Sequence, residues 1–172
     1  MDQFNLTAEA LRKMMTLHVN VSDDPQSPEW EVQGYKTEDQ SIEYNPDVST
    51  VTDILGDTYT DVNKFERQAS FEPNTLRMGS KLSQKLLTLE RNDDLAKFSQ
   101  FEVLIVYGFI GTAGSYAADM YPASTIYPNS LGGSSRVNMP FNIHLGGEKK
   151  KGTSSAIRGT ATSLLTFTPT AP

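Results

Sequence analysis

The amino-acid sequence predicts a mainly β protein, a β-sandwich or barrel with one flanking α-helix and long loops. Three observations carry this prediction: several short segments alternate apolar and polar residues, one longer segment is apolar on both faces, and one segment has a helical apolar stripe. The chain has 172 residues, which is about the length of one domain, so we expect a single domain over residues 1–172.

Alternating segments place the predicted strands. In residues 15–21 (MTLHVNV) every second residue is apolar, and residues 137–145 (VNMPFNIHL) repeat this pattern most clearly. Pro140 cannot donate to a sheet hydrogen bond, which favours an edge or a bulge there. Further strands are expected at residues 29–34, 39–44 and 64–71, with inward side chains Trp30, Val32, Ile42, Tyr44, Phe65, Ala69 and Phe71.

Residues 101–110 (FEVLIVYGFI) are apolar on both faces and rich in β-branched and aromatic side chains. This composition is typical of a central strand that is covered on both sides. The second cover could be the helix, another sheet or another subunit. Weaker strands are expected within residues 155–168.

The helix is predicted from Leu82, Leu86 and Leu89, which fall on one face at helical spacing. Ser80 is a suitable N-cap, and residues 92–94 (NDD) indicate the end of the helix. This stripe favours packing against a sheet. A short helix over residues 7–14, capped by Thr7, is also possible.

Three segments are interpreted as loops, of which residues 23–28 (DDPQSP) are a tight connector. Residues 45–63 are long and polar, and residues 111–133 are rich in Gly, Ser, Ala, Tyr and Pro. Irregular loops of this length are uncommon in compact domains and are usually functional or disordered. Residues 146–152 (GGEKKKG) indicate a hairpin turn with a basic tip formed by Lys149, Lys150 and Lys151.

Composition excludes several chemistries. The chain has no cysteine and two histidines, so disulfides, thiolate zinc sites and cysteine nucleophiles are absent. No nucleophile elbow or phosphate loop occurs, and Asp53, Asp57 and Asp61 do not match a calcium loop. His18 and His144 fall on polar strand faces, which predicts surface or subunit-contact roles. We therefore expect no enzymatic activity, no cofactor and no metal site.

Charge is unevenly distributed. Residues 22–62 contain eleven acidic residues and one lysine, so this segment carries −10 and the remainder +4 within a total of −6. Three interpretations remain open: a solvated or partly disordered surface, an acidic face that meets a basic face of another copy, or an acidic wall that repels phosphate. No apolar run is long enough to span a membrane, and residues 1–15 do not have the pattern of a secretory signal.

The order of these segments resembles a major tail (tail tube) protein of a long-tailed bacteriophage. The resemblance covers most of the chain: the Trp30–Gly34 strand, Ile42 to Asp47, the loop rich in Thr and Asp, the Gly79–Arg91 helix, the two later strands and the closing residues 159–169. The tube proteins of phage-derived injection systems, including the type VI secretion ring protein, are similar. The 111–133 segment departs from the family pattern.

That resemblance implies a structural role. Copies would form stacked hexameric rings enclosing a channel for DNA, in a virion tail assembled in the host cytoplasm. Partners would be the chain itself and other tail proteins: the tape measure, the terminator and the distal tail protein. By position, the loop with Asp47, Asp53, Asp57 and Asp61 would contact the neighbouring subunit or ring. The channel-lining candidates are Glu31, Asp39, Ser41 and Glu43.

Two other classes remain open at this stage: a binding module and, ranked third, an enzyme, which loss of turnover in His144→Ala would favour. Within the structural class, a tail terminator or head-completion protein would form a single ring. A carbohydrate-binding β-sandwich would use Trp30, Tyr116, Tyr121 and Tyr127 as a stacking surface, although Trp30 is predicted to face inward.

Overall fold

The structure is a computed structural model that describes residues 9–24, 26–37, 40–159 and 165–170. It is mainly β with a curled, half-barrel sheet, which confirms the coarse fold class. The described elements are a 3₁₀ turn at Arg12–Met14, β1 (Met15–Asn20), β2 (Trp30–Val32), β3 (Ile42–Glu43), β4 (Pro46–Thr52), β5 (Thr58–Phe65), β6 (Gln68–Phe71), α1 (Lys81–Arg91), a 3₁₀ turn at Leu95–Ser99, β7 (Phe101–Thr112), β8 (Ser115–Pro128), β9 (Phe141–His144), β10 (Lys150–Ser154) and β11 (Phe167–Pro169).

The large sheet has the strand order β2-β1-β7-β8-β9-β6-β3, and β10 joins β8 to β11. All of its pairings are antiparallel. Among the described strands, β2 and β3 end this path, so each leaves one edge of the sheet unpaired. Strands β4 and β5 pair only with each other in a separate two-stranded sheet.

Strand β7 is the central strand that the two-faced apolar run predicts. It pairs with β1 and β8, and its residues from Val103 to Val106 are completely buried. One face packs against α1 and the strands β6 and β9. The other face packs against Trp30, Leu165 and Phe167, so the C-terminal segment of the same chain supplies the second cover.

Helix α1 begins and ends where the sequence predicts. The Ser80 hydroxyl accepts a hydrogen bond from the Ser83 amide at 3.2 Å, which is the expected N-cap contact. Leu82, Leu86 and Leu89 are buried against the sheet. At the N-terminus only the short 3₁₀ turn is observed, and Thr7 lies outside the described residues.

Two predicted loops are wrong. Residues 45–63 contain most of the β4–β5 hairpin, because both strands are rich in Thr, Val and Tyr, which favour β-structure, and residues 53–57 close a turn. Residues 111–133 contain the whole of β8, a strand of 14 residues. The turn between β7 and β8 needs only Ala113 and Gly114, and Gly114 has a φ of 86°, which glycine adopts without strain.

The predicted hairpin at residues 146–152 is also wrong. Strands β9 and β10 do not pair with each other; they follow one another along the same side of β8. The interruption faces Pro122, which has no amide hydrogen for the sheet. A Cβ on Gly146 would lie 2.4 Å from the Ala123 carbonyl oxygen, so glycine permits the two backbones to approach where the sheet bends.

Several strand bounds and faces also differ. Strand β9 is shorter than predicted, and Val137 is exposed, although Met139, Phe141 and Ile143 are buried as expected. Tyr44 and Phe65 are exposed instead of inward, because they lie where the hairpin leaves the sheet.

Candidate functional site

The most exposed part of the described structure is the β4–β5 hairpin, which we call the arm (residues 46–65). Every residue of its two strands is exposed except Ser49, which is half-buried. A two-stranded hairpin is marginally stable by itself in water. An arm of this kind gains stability when another surface covers it.

The arm has one uncharged face. Val48 and Val62 lie opposite each other, and two threonine pairs continue the same face toward the tip. The Thr50 and Thr60 hydroxyls are 3.4 Å apart, and those of Thr52 and Thr58 are 3.3 Å apart. Uncharged side chains suit contact with another protein, because no charge has to be removed from water and the threonine hydroxyls of each pair can hydrogen bond to each other.

The tip of the arm is built around Asp53. Its carboxylate accepts hydrogen bonds from the amides of Leu55 at 2.8 Å and Asp57 at 3.0 Å, and from the Tyr59 hydroxyl at 3.3 Å. These bonds hold the pKa of Asp53 below its ordinary value, the largest contribution coming from the Asp57 amide. The turn presents two apolar side chains, Ile54 and Leu55, at 102% and 83% exposure.

The base of the arm is anchored by main-chain and aromatic contacts. The amide of Glu66 donates to the Asn45 carbonyl at 3.2 Å. Tyr44 and Phe65 pack edge to face with ring centroids 5.8 Å apart. The Arg67 guanidinium lies 5.1 Å from the Phe65 centroid and 5.6 Å from that of Tyr44. These contacts fix the direction in which the arm leaves the sheet.

The four aspartates predicted to lie in a loop all belong to the arm. Two of them lie in its turn and two in its strands. Asp53 organises the turn, and Asp57 ends it. Asp47 lies opposite Lys64, and Asp61 lies opposite Ser49. The arm therefore has four carboxylates and a single lysine, and Lys64 forms an ion pair with Glu66 at 2.6 Å.

The predicted channel-lining residues do not form one surface. Asp39 lies outside the described residues. Ser41 and Glu43 are exposed at the β3 edge, where Glu43 accepts a hydrogen bond from the Gln68 amide nitrogen at 2.8 Å. Glu31 lies elsewhere, at the N-terminus of α1, and is therefore not a free wall charge.

Glu31 caps helix α1. Its carboxylate accepts the Ser80 hydroxyl at 2.6 Å and the amides of Lys81 and Leu82 at 2.8 and 3.2 Å. A carboxylate at this position satisfies free helix amides and interacts favourably with the helix dipole. The sequence pattern places Glu31 on the face of β2 opposite Trp30 but gives no sign that this face meets a helix end.

We expect Glu31→Ala to lower the free energy of unfolding by about 1–2 kcal/mol, because three donors lose a charged acceptor. Urea unfolding followed by circular dichroism measures this. Glu29→Ala is the matched control, since Glu29 forms only an exposed ion pair with Lys81 at 2.6 Å; exposed pairs contribute about 0–1 kcal/mol. Equal effects of the two changes would contradict the capping role.

The outward face of the β8-β9-β6-β3 region is polar and carries little charge. Register aligns Thr125, His144, Gln68 and Glu43 across four strands, and Ser70 and Asn142 form a neighbouring pair. Glu43 is the one acidic side chain among these six, and none is Lys or Arg. His144 is exposed as predicted, stacked on Tyr127 and hydrogen bonded to its hydroxyl at 3.1 Å.

His18 is not a surface residue. It is fully buried in β1 between Val32 on β2 and Leu104 on β7. Neither ring nitrogen has a hydrogen-bond partner among the described residues. Burial lowers the pKa of His18 to about 4, and the nearby Leu104 backbone opposes this shift only in part. The sequence pattern misses this because β1 is covered on both faces.

The other expected sites are separated. Lys149 pairs with Asp119 at 3.3 Å, whereas Lys150 and Lys151 begin β10. The aromatic residues of a carbohydrate surface do not come together: Trp30 and Tyr116 pack on the C-terminal side of the sheet, and Tyr121 is buried. Within the described ranges, no three His, Asp or Glu side chains group as metal ligands.

No known protein family and no curated protein matches this sequence. Among the described residues, no helix is both long and apolar enough to cross a membrane. The features of the molecule that bear on function are the arm, the sheet edges and the distribution of charge.

Proposed function

We propose that this chain is the self-assembling subunit of a phage tail tube, which forms stacked, hexameric rings around a channel for DNA. The observation that carries this proposal is the arm, a formed hairpin whose apolar residues are left in water. Such a surface is expected to be covered by a partner. A second copy of the chain is the partner that a tube requires.

The open ends of the large sheet support assembly of the same kind. Strands β2 and β3 are short and leave hydrogen-bonding groups unpaired along one edge each. Pairing with a neighbouring copy satisfies such groups, and a closed ring leaves no free edge. A curled half-barrel is a suitable shape for this closure, because several copies can continue its curvature.

The polar outward face provides a suitable lining. This face presents no lysine or arginine side chain to DNA among its aligned residues Thr125, Asn142, His144, Gln68 and Glu43. Non-specific binding of DNA depends on basic side chains that replace counterions at phosphates. A face of neutral side chains and one carboxylate would let DNA pass without strong attachment, which replaces the strongly acidic wall expected from the sequence.

Electron microscopy of the purified protein in negative stain, over a range of concentrations, tests the proposal. We expect tubes of uniform diameter with a central channel. Isolated rings that never stack would instead indicate a terminator, and monomers at every concentration would overturn the proposal.

We expect Glu43→Lys with Gln68→Lys to slow genome delivery from virions at least several-fold, because each ring would then present new phosphate contacts toward DNA. The variant should still form tubes, since both side chains are exposed or half-buried on the polar face. Ejection is measured by real-time DNA release. Glu90→Lys, on the exposed side of helix α1, which covers the opposite face of the sheet, is the control; a normal rate for the double variant would contradict the lining assignment.

A further inference from the structure

A second surface on this chain complements the arm. Residues 74–78 and 131–138, which we call the platform, form one patch joined by main-chain hydrogen bonds. The Leu76 amide donates to the Val137 carbonyl at 2.9 Å, and the Met139 amide donates to the Asn74 carbonyl at 2.8 Å. Bridges between Asn138 and both Thr75 and Gly132 complete the patch.

The platform complements the arm: both surfaces expose apolar side chains, and their charges are opposite in sign. It exposes three aliphatic side chains: Met78, at 84% exposure, with Leu131 and Val137. Its charged residues are Arg77 and Arg136, and neither forms an ion pair with another described residue. The Arg77 guanidinium is held 4.2 Å from the Tyr35 ring centroid. The arm offers apolar side chains together with an excess of carboxylates.

The two surfaces lie at opposite ends of the same strands. Strand β6 begins just after the arm at Gln68 and runs toward the platform, ending at Phe71. Strand β9 follows the platform and returns toward the arm, with Phe141 opposite Phe71 and His144 opposite Gln68. An arm that docks on the platform of another copy therefore makes a head-to-tail contact, which continues as a filament when its rotation does not close a ring.

The geometry points to the platform as the receptor for the arm of a second copy, with Ile54 and Leu55 packed on Met78, Leu131 and Val137. This inference rests on the proposed function, because it names the surface through which rings stack. Opposite charges at the rim, Asp57 and Asp61 against Arg77 and Arg136, set the orientation.

The other basic surface is a weaker receptor. Strand β10, with Lys150 and Lys151, is paired on both sides by β8 and β11, so it offers no free edge. Lys149 is already bound to Asp119. Residues 149–154 expose no large apolar side chain comparable to Met78, Leu131 and Val137 of the platform.

Cross-linking tests the contact directly, since the chain has no cysteine of its own. Leu55→Cys protein is mixed with Leu131→Cys protein under assembly conditions and treated with a short bismaleimide. We expect a covalent dimer of the two variants. Leu55→Cys mixed with Leu95→Cys is the control, because Leu95 is 74% exposed but lies outside the platform. Linkage of Leu55→Cys to itself alone would indicate paired arms and overturn the inference.

Charge reversal supplies a second test. Arg77→Glu with Arg136→Glu is expected to reduce tube formation at least tenfold, and adding Asp57→Lys with Asp61→Lys in the same chain is expected to restore it. Lys150→Glu with Lys151→Glu is the matched control and should leave tubes intact. Loss of tubes only in that control would move the receptor to β10.

The outcomes separate the two proposals. Tubes that form without a link between Leu55 and Leu131, and that tolerate reversal of Arg77 and Arg136, overturn the receptor assignment and leave the tube intact. A wild-type protein that forms no assembly at any concentration overturns both.

Discussion

Removal of residues 48–60 is expected to abolish tube formation and to leave a folded subunit. The deleted residues form most of the arm and are exposed, apart from the half-buried Ser49 and Asp53. Neither core cluster loses a member. The free energy of unfolding should therefore change by less than about 1 kcal/mol, as for other surface changes.

Electron microscopy and thermal unfolding together check this expectation. A matched variant, Val48→Thr with Val62→Thr, keeps the hairpin and replaces only its one valine pair near the base; it should weaken tubes without abolishing them. Normal tubes from the deleted protein would show that ring contacts lie elsewhere. Loss of the folded subunit would contradict the independence of the arm from the core.

Acid is expected to destabilise the subunit through His18. Burial lowers the pKa of His18 to about 4 in the folded chain, against an ordinary value of 6.5. As pH falls below about 6.5, His18 takes up a proton in the unfolded chain but stays neutral in the folded chain. Stability is therefore lost between about pH 6.5 and 4, by roughly 3 kcal/mol in total, and this group contributes no further loss below that range.

His18→Leu should remove this contribution, because leucine fills a similar volume and leaves no unpaired ring nitrogen. The measurement is the free energy of unfolding in urea at several pH values from 4 to 7. His144→Gln is the control: His144 is exposed, so the acid-dependent loss should remain. Equal pH dependence in wild type and His18→Leu would contradict the prediction, because it would show that His18 takes up its proton as readily in the folded chain as in the unfolded chain.

Local patterns predicted the parts of the fold that depend on burial of one face. The leucine stripe of α1, its Ser80 cap and the central β7 strand all follow from side-chain spacing and composition. The arm and β8 were missed for a different reason. Their strands gain little or irregular burial, so apolar alternation is weak, and pairing between neighbours in the sequence decides their structure.

The candidate site was predictable only in composition. Acidic residues concentrate in the arm, as the sequence indicates, but Glu31 was assigned to a wall when it caps a helix 50 residues away in sequence. One feature of the sequence does indicate the charge of the platform: no acidic residue occurs between Asp119 and Glu148. Its exposed aliphatic residues gain meaning only once the sheet places them at one end.

The turn bonds of Asp53 have a consequence for how fast copies can join. These bonds favour the folded hairpin before it meets a partner, so part of its backbone freedom is already lost in the isolated subunit. Association then carries a smaller ordering penalty than a disordered tail would incur. The rate of growth at the end of a polymer would then be limited by collision and orientation. Asp53→Ala breaks the turn, so folding of the hairpin would become the slow step.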